Sequence, residues 1–269
     1  MQTVRSLDGT TIAFDQSGQG PALILVGGAT STRADQAGAA AILAPDFTVF
    51  AYDRRGRGDS GDTLPYAVER EVEDIQVLID KSGGTAFVFG HSSGAVLALE
   101  AARLLDTKIR KLALYEPPFI VDDCRPAVRP DWLEETKALL AAGRPGDALE
   151  LFQIQVGMPA EMVKQFRQSP MWPPLEAIAP TLVYDLTILE GTQAGSPLPL
   201  RKWAGVSVPT LVMDGTTFLG SEEGHTWMQH GADAIARVLP HAQRWTLAGQ
   251  DHGADVEVLA AALREYFIG

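Results

Sequence analysis

The residues with the most evident chemical potential form the pentapeptide Gly90-His91-Ser92-Ser93-Gly94, which lies between an apolar run and an apolar helical pattern. A Gly-x-Ser-x-Gly sequence at the junction of a strand and a helix predicts a sharp turn that exposes the middle serine. The following helix adds unpaired N–H groups and a positive dipole end. A helix-capping serine is the alternative, but both flanking elements favour Ser92 as a nucleophile.

A serine nucleophile needs a general base, and the chain has five histidines. His91 belongs to the pentapeptide, whereas His225, His230 and His241 lie in or beside a predicted helix, on its polar stretches. Only His252 lies in a loop between the last predicted strand and the last helix, where the chain order serine, acid, histidine expects the base. A solvated surface histidine is the alternative to this assignment. We predict that His252 is the general base.

An acyl-transfer serine also needs N–H donors for the oxyanion that forms during attack. The amide of Ser93 is one predicted donor, and the turn Gly27-Gly28-Ala29 supplies the other. Ala29 is the preferred second donor, although two glycines could also form a turn without a catalytic role. Gly28 and His91 are expected to lie beside the substrate.

Alternating strand and helix patterns must position these residues. Two short alternating runs across Asp8-Gly9 predict an antiparallel hairpin. Apolar runs typical of strands buried on both faces cover Pro21–Ala29, Phe47–Asp53, Ala86–Gly90, Lys111–Glu116, Pro209–Gly215 and Gln243–Gly249. Helical patterns separate them at Ala34–Leu43, Ala67–Asp80, Ala95–Leu105, Thr226–Leu239 and Val256–Phe267. This alternation predicts an α/β protein with a doubly wound, mostly parallel sheet.

A long segment without strand patterns, Phe119–Ser207, separates the strands at Lys111–Glu116 and Pro209–Gly215. It predicts a helical cap domain over residues 119–207, inserted into a core domain formed by residues 1–118 and 208–269. Most aromatic and methionine residues of the cap are expected to pack between its helices. Trp172 lies between prolines and is predicted to face the substrate, as is Phe218. A largely apolar pocket would favour a neutral, hydrophobic ester or lactone.

Composition excludes several classes of function. The 269 residues carry a net charge of −12 and one cysteine, Cys124. An acidic chain repels nucleic acid and anionic membrane surfaces, and the sequence contains no long apolar run that could span a membrane. We expect a cytoplasmic protein without an internal disulfide, and neither a metal nor an organic cofactor, because zinc-site spacing, a P-loop and a dinucleotide fingerprint are missing. A homodimer stays open.

Together these motifs resemble an α/β-hydrolase of the serine hydrolase branch over nearly the whole chain. The loop Tyr52–Ser60 matches the Asp-x-Arg-Gly-x-Gly-x-Ser motif of that family. The resemblance implies the α/β-hydrolase fold, with the helical cap inserted after the sixth strand, and no catalytic role for Asp53 or Arg54. One departure concerns the acid. Most members carry an aspartate three residues after the glycine that ends the seventh strand, but here Gly215 is followed at that position by Phe218.

Glu116 is the proposed replacement for this aspartate. It ends the strand that follows the nucleophile strand, 116 − 92 = 24 residues after the serine, and prolines follow it. This layout is similar to that of the zearalenone lactonases, and the resemblance implies that Glu116 is the triad acid. Asp214, Glu222 and Glu223 are the alternatives. Glu116 could instead have no catalytic role, either as a solvated carboxylate at the strand end or in an ion pair with an arginine of the Tyr52–Ser60 loop.

These predictions describe a serine hydrolase that cleaves an ester or lactone of a small hydrophobic substrate through an acyl-enzyme. Two other activities stay open: perhydrolase or haloperoxidase chemistry without a cofactor, and a ligand-binding or cyclase-like protein that does not hydrolyse. Dehalogenase and epoxide hydrolase activities are disfavoured, because those enzymes use a carboxylate nucleophile where this chain has Ser92.

Overall fold

Eight β-strands form one mixed sheet in the computed structural model, which describes residues 1–218 and 223–269. The strands are β1 Gln2–Arg5, β2 Thr11–Ser17, β3 Ala22–Val26, β4 Thr48–Tyr52, β5 Ala86–His91, β6 Ile109–Tyr115, β7 Thr210–Asp214 and β8 Ala242–Thr246. Their order across the sheet is β1-β2-β4-β3-β5-β6-β7-β8. The predicted hairpin makes β1 and β2 antiparallel, β2 is antiparallel to β4, and all other pairs are parallel.

Helices cover both faces of this sheet. Outside the insertion they are α1 Ala37–Leu43, α2 Val68–Lys81, α3 Ser93–Leu105, α9 Thr226–Val238 and α10 Val256–Ile268. One apolar cluster joins the sheet to α2, α3 and α9, and a second joins the opposite face to α1 and α10. All five residues of β3 are buried, as expected for a strand enclosed between two helical layers. The predicted α/β class and doubly wound sheet are therefore confirmed.

The segment between β6 and β7 contains five α-helices: α4 Trp132–Ala141, α5 Pro145–Gln155, α6 Ala160–Phe166, α7 Trp172–Ile178 and α8 Leu182–Ile188. Their apolar faces form a separate cluster around Trp132, Leu149 and Phe152. Leu200 and Trp203, farther along the insertion, are buried in the main core instead. Among the described residues, no helix combines the length and apolar character needed to cross a membrane.

The backbone adopts an uncommon conformation where three central strands end. Thr30, after β3, has a φ of 58°, Ser92, after β5, has a φ of 55°, and Glu116, after β6, has a φ of 48°. Residues with a side chain seldom adopt positive φ, and such conformations are found at functional sites more often than elsewhere. The strain is therefore concentrated along the edge where the candidate catalytic residues lie.

Candidate active site

Ser92 forms the turn between β5 and α3. Its backbone, with φ 55° and ψ −128°, lies outside the helical region, and its amide donates to the Tyr115 carbonyl at 3.0 Å. The serine precedes the helix, yet its hydroxyl makes no capping hydrogen bond within the described chain. A Cβ at Gly94 would lie 2.5 Å from the carbonyl oxygens of Val26 and Gly27. Glycine therefore lets this turn pack directly against the backbone that follows β3.

The glycine turn after β3 contacts the serine closely. A Cβ at Gly28 would lie 2.9 Å from the Cβ of Ser92. The Gly28 carbonyl accepts hydrogen bonds from Arg57 Nη1 at 2.6 Å and from Ser31 Oγ at 2.8 Å. In a planar trans peptide the N–H points opposite to the carbonyl. These two donors therefore fix the direction of the Ala29 N–H, which points away from Arg57.

The predicted base, His252, and the predicted acid, Glu116, form a hydrogen bond. Glu116 Oε2 lies 2.7 Å from His252 Nδ1, and Glu116 is 0% exposed. A carboxylate can only accept, so Nδ1 carries the hydrogen and Nε2 is left as an acceptor. The hydroxyl of Tyr115 donates to the carbonyl of Asp251 at 2.5 Å and helps to hold the histidine loop.

A second histidine contacts the same carboxylate. His225 Nε2 donates to Glu116 Oε1 at 2.9 Å, and the amide of Gly215 donates to that oxygen at 2.9 Å. His225 is 3% exposed, so the sequence-based interpretation of a polar helix position was wrong. A 3₁₀ turn before α9 directs the ring inwards. The available signal was a histidine within the strand-to-helix connection that lacks the usual aspartate.

The hydrogen bonds at this carboxylate determine its charge. Burial raises the pKa of Glu116, but hydrogen bonds from His225, His252 and Gly215 outweigh this and lower it to about 2. His91 behaves differently, because burial, together with the charge of His252, lowers the pKa of His91 to about 3. His91 is therefore neutral at pH 7, and its Nε2 donates to the His252 carbonyl at 2.9 Å. This hydrogen bond helps to hold the loop of His252, the predicted base.

Asp214, the alternative acid at the end of β7, has a different partner. Its two oxygens accept from Arg244 Nη1 at 2.8 Å and from Arg244 Nη2 at 2.6 Å. Both oxygens are thus engaged in an ion pair away from His252. Glu222 lies outside the described residues, as does the side chain of Glu223.

A buried acidic residue of the insertion, Asp185 in α8, contacts the Tyr52–Ser60 loop and the start of α3. It accepts from Arg54 Nη1 at 2.7 Å, from Arg57 Nη2 at 2.5 Å and from Ser93 Oγ at 2.7 Å. Burial raises the pKa of Asp185, but the charges of Arg54 and Arg57 outweigh it and hold that pKa below its ordinary value. The two arginines therefore connect the Tyr52–Ser60 loop to the cap helix α8.

A cavity of about 250 Å³ lies above these groups. It brings together the predicted residues Gly28, Ala29, His91, Ser92, Ser93, Phe218 and His252. Its apolar walls include Trp132, Phe152, Val156, Leu189, Trp227 and Met228. One cationic side chain, Arg125, also lines it, and sequence reasoning missed this residue.

The prediction that Trp172 faces the substrate was wrong. Within the described chain it is not among the residues that line the cavity, but lies buried inside the cap. Its ring packs edge-on against Phe166, and its Nε1 donates to Glu176 at 3.1 Å. Pro173 and Pro174 lie in the first turn of the short helix α7, so Trp172 begins a helix rather than standing in an isolated turn.

One group of side chains could hold a metal ion. Ligand atoms of Asp122, Cys124 and His230 lie within 4.8 Å of one another. Burial and the neighbouring Asp122 raise the pKa of the Cys124 thiol to about 11, so the sulfur is a protonated thiol at pH 7. Asp122 and His230 already form a hydrogen bond of 2.5 Å with each other.

Comparisons with known proteins agree with this architecture. A family model described as the alpha/beta hydrolase family matches residues 23–262. The crystal structure of an alpha/beta hydrolase from Sphaerobacter thermophilus is 50% identical, with a TM-score of 0.89, and the match covers 99% of this chain and all of that one. The enol-lactonase of Burkholderia xenovorans is 20% identical with a TM-score of 0.67, covering both chains fully, and shares the fold.

Similarity to curated proteins is partial. The N-formylmaleamate deformylase of Pseudomonas putida is 32% identical over 140 residues, which are 50% of this chain and 52% of the deformylase. The chain thus spans about half the length, or less, of the curated relatives that it matches.

Proposed function

The chain belongs to the alpha/beta hydrolase family, and from this premise we propose that it is a serine hydrolase that cleaves a carboxylic ester or lactone. The observation that carries the proposal is the hydrogen bond of 2.7 Å between Glu116 and His252, at the edge of the cavity that Ser92 also lines. An acid at the end of β6 is similar to the layout of the zearalenone lactonases. Relatives named as an enol-lactonase and a deformylase support acyl transfer to water as the reaction class.

In the proposed reaction, His252 Nε2 takes the Ser92 proton as Ser92 Oγ bonds to the carbonyl carbon of the substrate. The C–O bond to the alcohol then breaks, and His252 returns the proton to the departing oxygen. Water, deprotonated by His252, hydrolyses the acyl-enzyme and regenerates the serine. Glu116 stays ionised, since its pKa is lowered to about 2, and it stabilises the imidazolium form of His252 in both halves.

The oxyanion would be bound by the backbone N–H groups of Ala29 and Ser93. The Gly28 carbonyl is held by Arg57 and Ser31, which supports a fixed direction for the Ala29 N–H. Ser93 is the first residue of α3, where N–H groups have no partner within the helix. Donors fixed before the reaction stabilise developing charge without reorganisation, and losing one typically costs about 10²-fold or more in rate.

The cavity supports a small substrate with a hydrophobic body. Its volume of about 250 Å³ lies below the usual range for drug-sized ligands. Three aromatic rings, from Trp132, Phe152 and Trp227, would contact the part of the substrate beyond the ester group.

The test is labelling with a fluorophosphonate, together with turnover of an activated aryl ester. The wild-type protein should be labelled and should release the phenol. Ser92→Ala should remove labelling and reduce kcat by up to about 10⁶-fold, as for other triad serines. Ser207→Ala is the matched control, since Ser207 is exposed in the segment before β7. Labelling that persists in Ser92→Ala, or a wild-type protein inert towards aryl and alkyl esters, would overturn the proposal.

A further inference from the structure

Arg125 lies in the loop between β6 and α4, and its guanidinium reaches the catalytic cavity. Two contacts hold it there. Its Cζ lies 4.2 Å from the centre of the Trp227 ring, and its Nη2 donates to the Gln155 carbonyl, at the end of α5, at 2.7 Å. A guanidinium has five N–H groups in a planar fork, so most of its donors stay available after these contacts.

No carboxylate pairs with Arg125 among the residues whose side chains are described. Two acidic residues in this region have other partners: Asp122 pairs with His230, and Asp185 pairs with Arg54 and Arg57. Arg129, four residues further along the same loop, illustrates the usual arrangement, since it is exposed and pairs with Asp131 at 2.8 Å. A partly buried cation without an anion is uncommon, because burial disfavours charge that is not paired.

Two aromatic rings, Trp227 and Phe218, connect Arg125 to His252. Phe218 lies 6.3 Å from the His252 ring and 5.8 Å from the Trp227 ring, measured between centroids. Trp227 in turn carries the guanidinium of Arg125 on its face. Ser92 and Arg125 line the same cavity, so a compound that fills it could present one end to Ser92 and the other to Arg125.

We propose that Arg125 binds a carboxylate of the substrate, so that the ester or lactone cleaved at Ser92 has a hydrophobic body and one anionic end. This inference rests on the proposed function and adds to it a substrate class, replacing the neutral compound expected from the sequence. Arginine suits this role because its planar fork can bind a carboxylate through two parallel hydrogen bonds. The stacked indole and the Gln155 carbonyl hold the fork in position before the substrate arrives.

The test compares acidic and neutral esters of matched size. On the acyl side the pair is 4-nitrophenyl hydrogen glutarate and 4-nitrophenyl pentanoate, and on the alcohol side it is 3-acetoxybenzoate and its methyl ester. In one of these pairs the wild-type enzyme should prefer the acidic ester in kcat/KM. Arg125→Met should reduce the acidic-to-neutral ratio by about 10- to 100-fold, which corresponds to loss of a hydrogen bond between charged groups.

Two further variants make the result specific. Arg129→Met removes a cation from the same loop and should leave the ratio unchanged. Arg125→Lys keeps the charge without the fork and should retain part of the preference, which also guards against misfolding of Arg125→Met. Equal losses on acidic and neutral esters would assign Arg125 a purely structural role at the end of α5 and overturn the proposal. A wild-type enzyme without preference in either pair would also overturn it.

A binding measurement separates this inference from the hydrolase proposal. Monomethyl glutarate should bind to Ser92→Ala in a calorimetric titration, and at least about tenfold more weakly to the double variant with Arg125→Met. If the wild-type protein cleaves no ester but this difference is seen, the hydrolase proposal fails and the anion site stands. If esters are cleaved but monomethyl glutarate does not bind and the ratios are equal, the anion site fails alone.

Discussion

Glu116 and Asp214 are two buried carboxylates at the ends of neighbouring parallel strands, and they have opposite surroundings. Both are 0% exposed. Glu116 accepts from two imidazoles, which can gain and lose protons, whereas Asp214 accepts from the permanently charged guanidinium of Arg244. A strand-end carboxylate that accepts from an imidazole is suited to support a general base. A carboxylate paired with arginine contributes to stability instead.

The backbone contributes to this difference. Asp214 lies within the pairing of β7 with β8, opposite Thr246, and its carbonyl accepts from Leu247. Glu116 lies just beyond β6, and its positive φ turns the chain out of the sheet. A side chain at that bend can reach the loop of His252, although it starts from a different strand than the acid of most family members.

The sharpest test of the comparison is Glu116→Gln. We expect kcat for an activated ester to decrease by about 10³- to 10⁴-fold, because an amide neither stabilises the imidazolium nor fixes the ring tautomer. Steady-state kinetics, with folding checked by circular dichroism, measures the effect. A decrease of less than tenfold would remove Glu116 from the triad.

The second test uses pH. Because folding lowers the pKa of Glu116 from 4.5 to about 2, its ionised form contributes stability above pH 4.5 that is lost as the pH falls through 2. This difference in pKa corresponds to about 3 kcal/mol of unfolding free energy. Urea unfolding of the wild-type protein should show this decline between pH 5 and pH 2. Glu116→Gln should lack that part of the decline, and Asp214→Asn should retain it.

Asp214→Asn should affect stability more than catalysis. Breaking its pair leaves Arg244 with Asp233 and the Trp245 carbonyl as partners. We expect the free energy of unfolding to fall by about 2 kcal/mol, less than for a fully buried pair. The activity of the folded protein should stay within about threefold of wild type, as for other substitutions remote from a reacting group. If kcat fell as far as in Glu116→Gln with stability unchanged, the two carboxylates would have been assigned the wrong way round.

The smallest effect in free energy is expected at His225, which we consider a positioning residue. His225→Phe removes one hydrogen bond to a charged carboxylate, and kcat should decrease about tenfold while KM stays nearly constant. His225→Gln keeps a donor at this position and should recover part of the loss. A change in KM alone, or no recovery with glutamine, would indicate that His225 only fills space.

The sequence predicted the sheet and the groups that lie at its edge, because strand ends and glycine turns leave local signals. Ser92, Glu116 and His252 each lie directly beyond an apolar run or in a connecting loop. His225 and Arg125 could not be found in this way, since their roles depend on how a 3₁₀ turn and a cap loop fold back over the sheet. The direction of the Trp172 ring was also mispredicted, because it is determined by packing among the cap helices.

The left-handed backbone at Thr30 and Ser92 has an evolutionary consequence. Glycine accepts such angles without strain. Replacing either residue with glycine would therefore increase the stability of the protein. A library of variants screened for heat resistance alone, with hydrolysis left unmonitored, should therefore be enriched in Ser92→Gly and Thr30→Gly. The same library screened for turnover should reject Ser92→Gly.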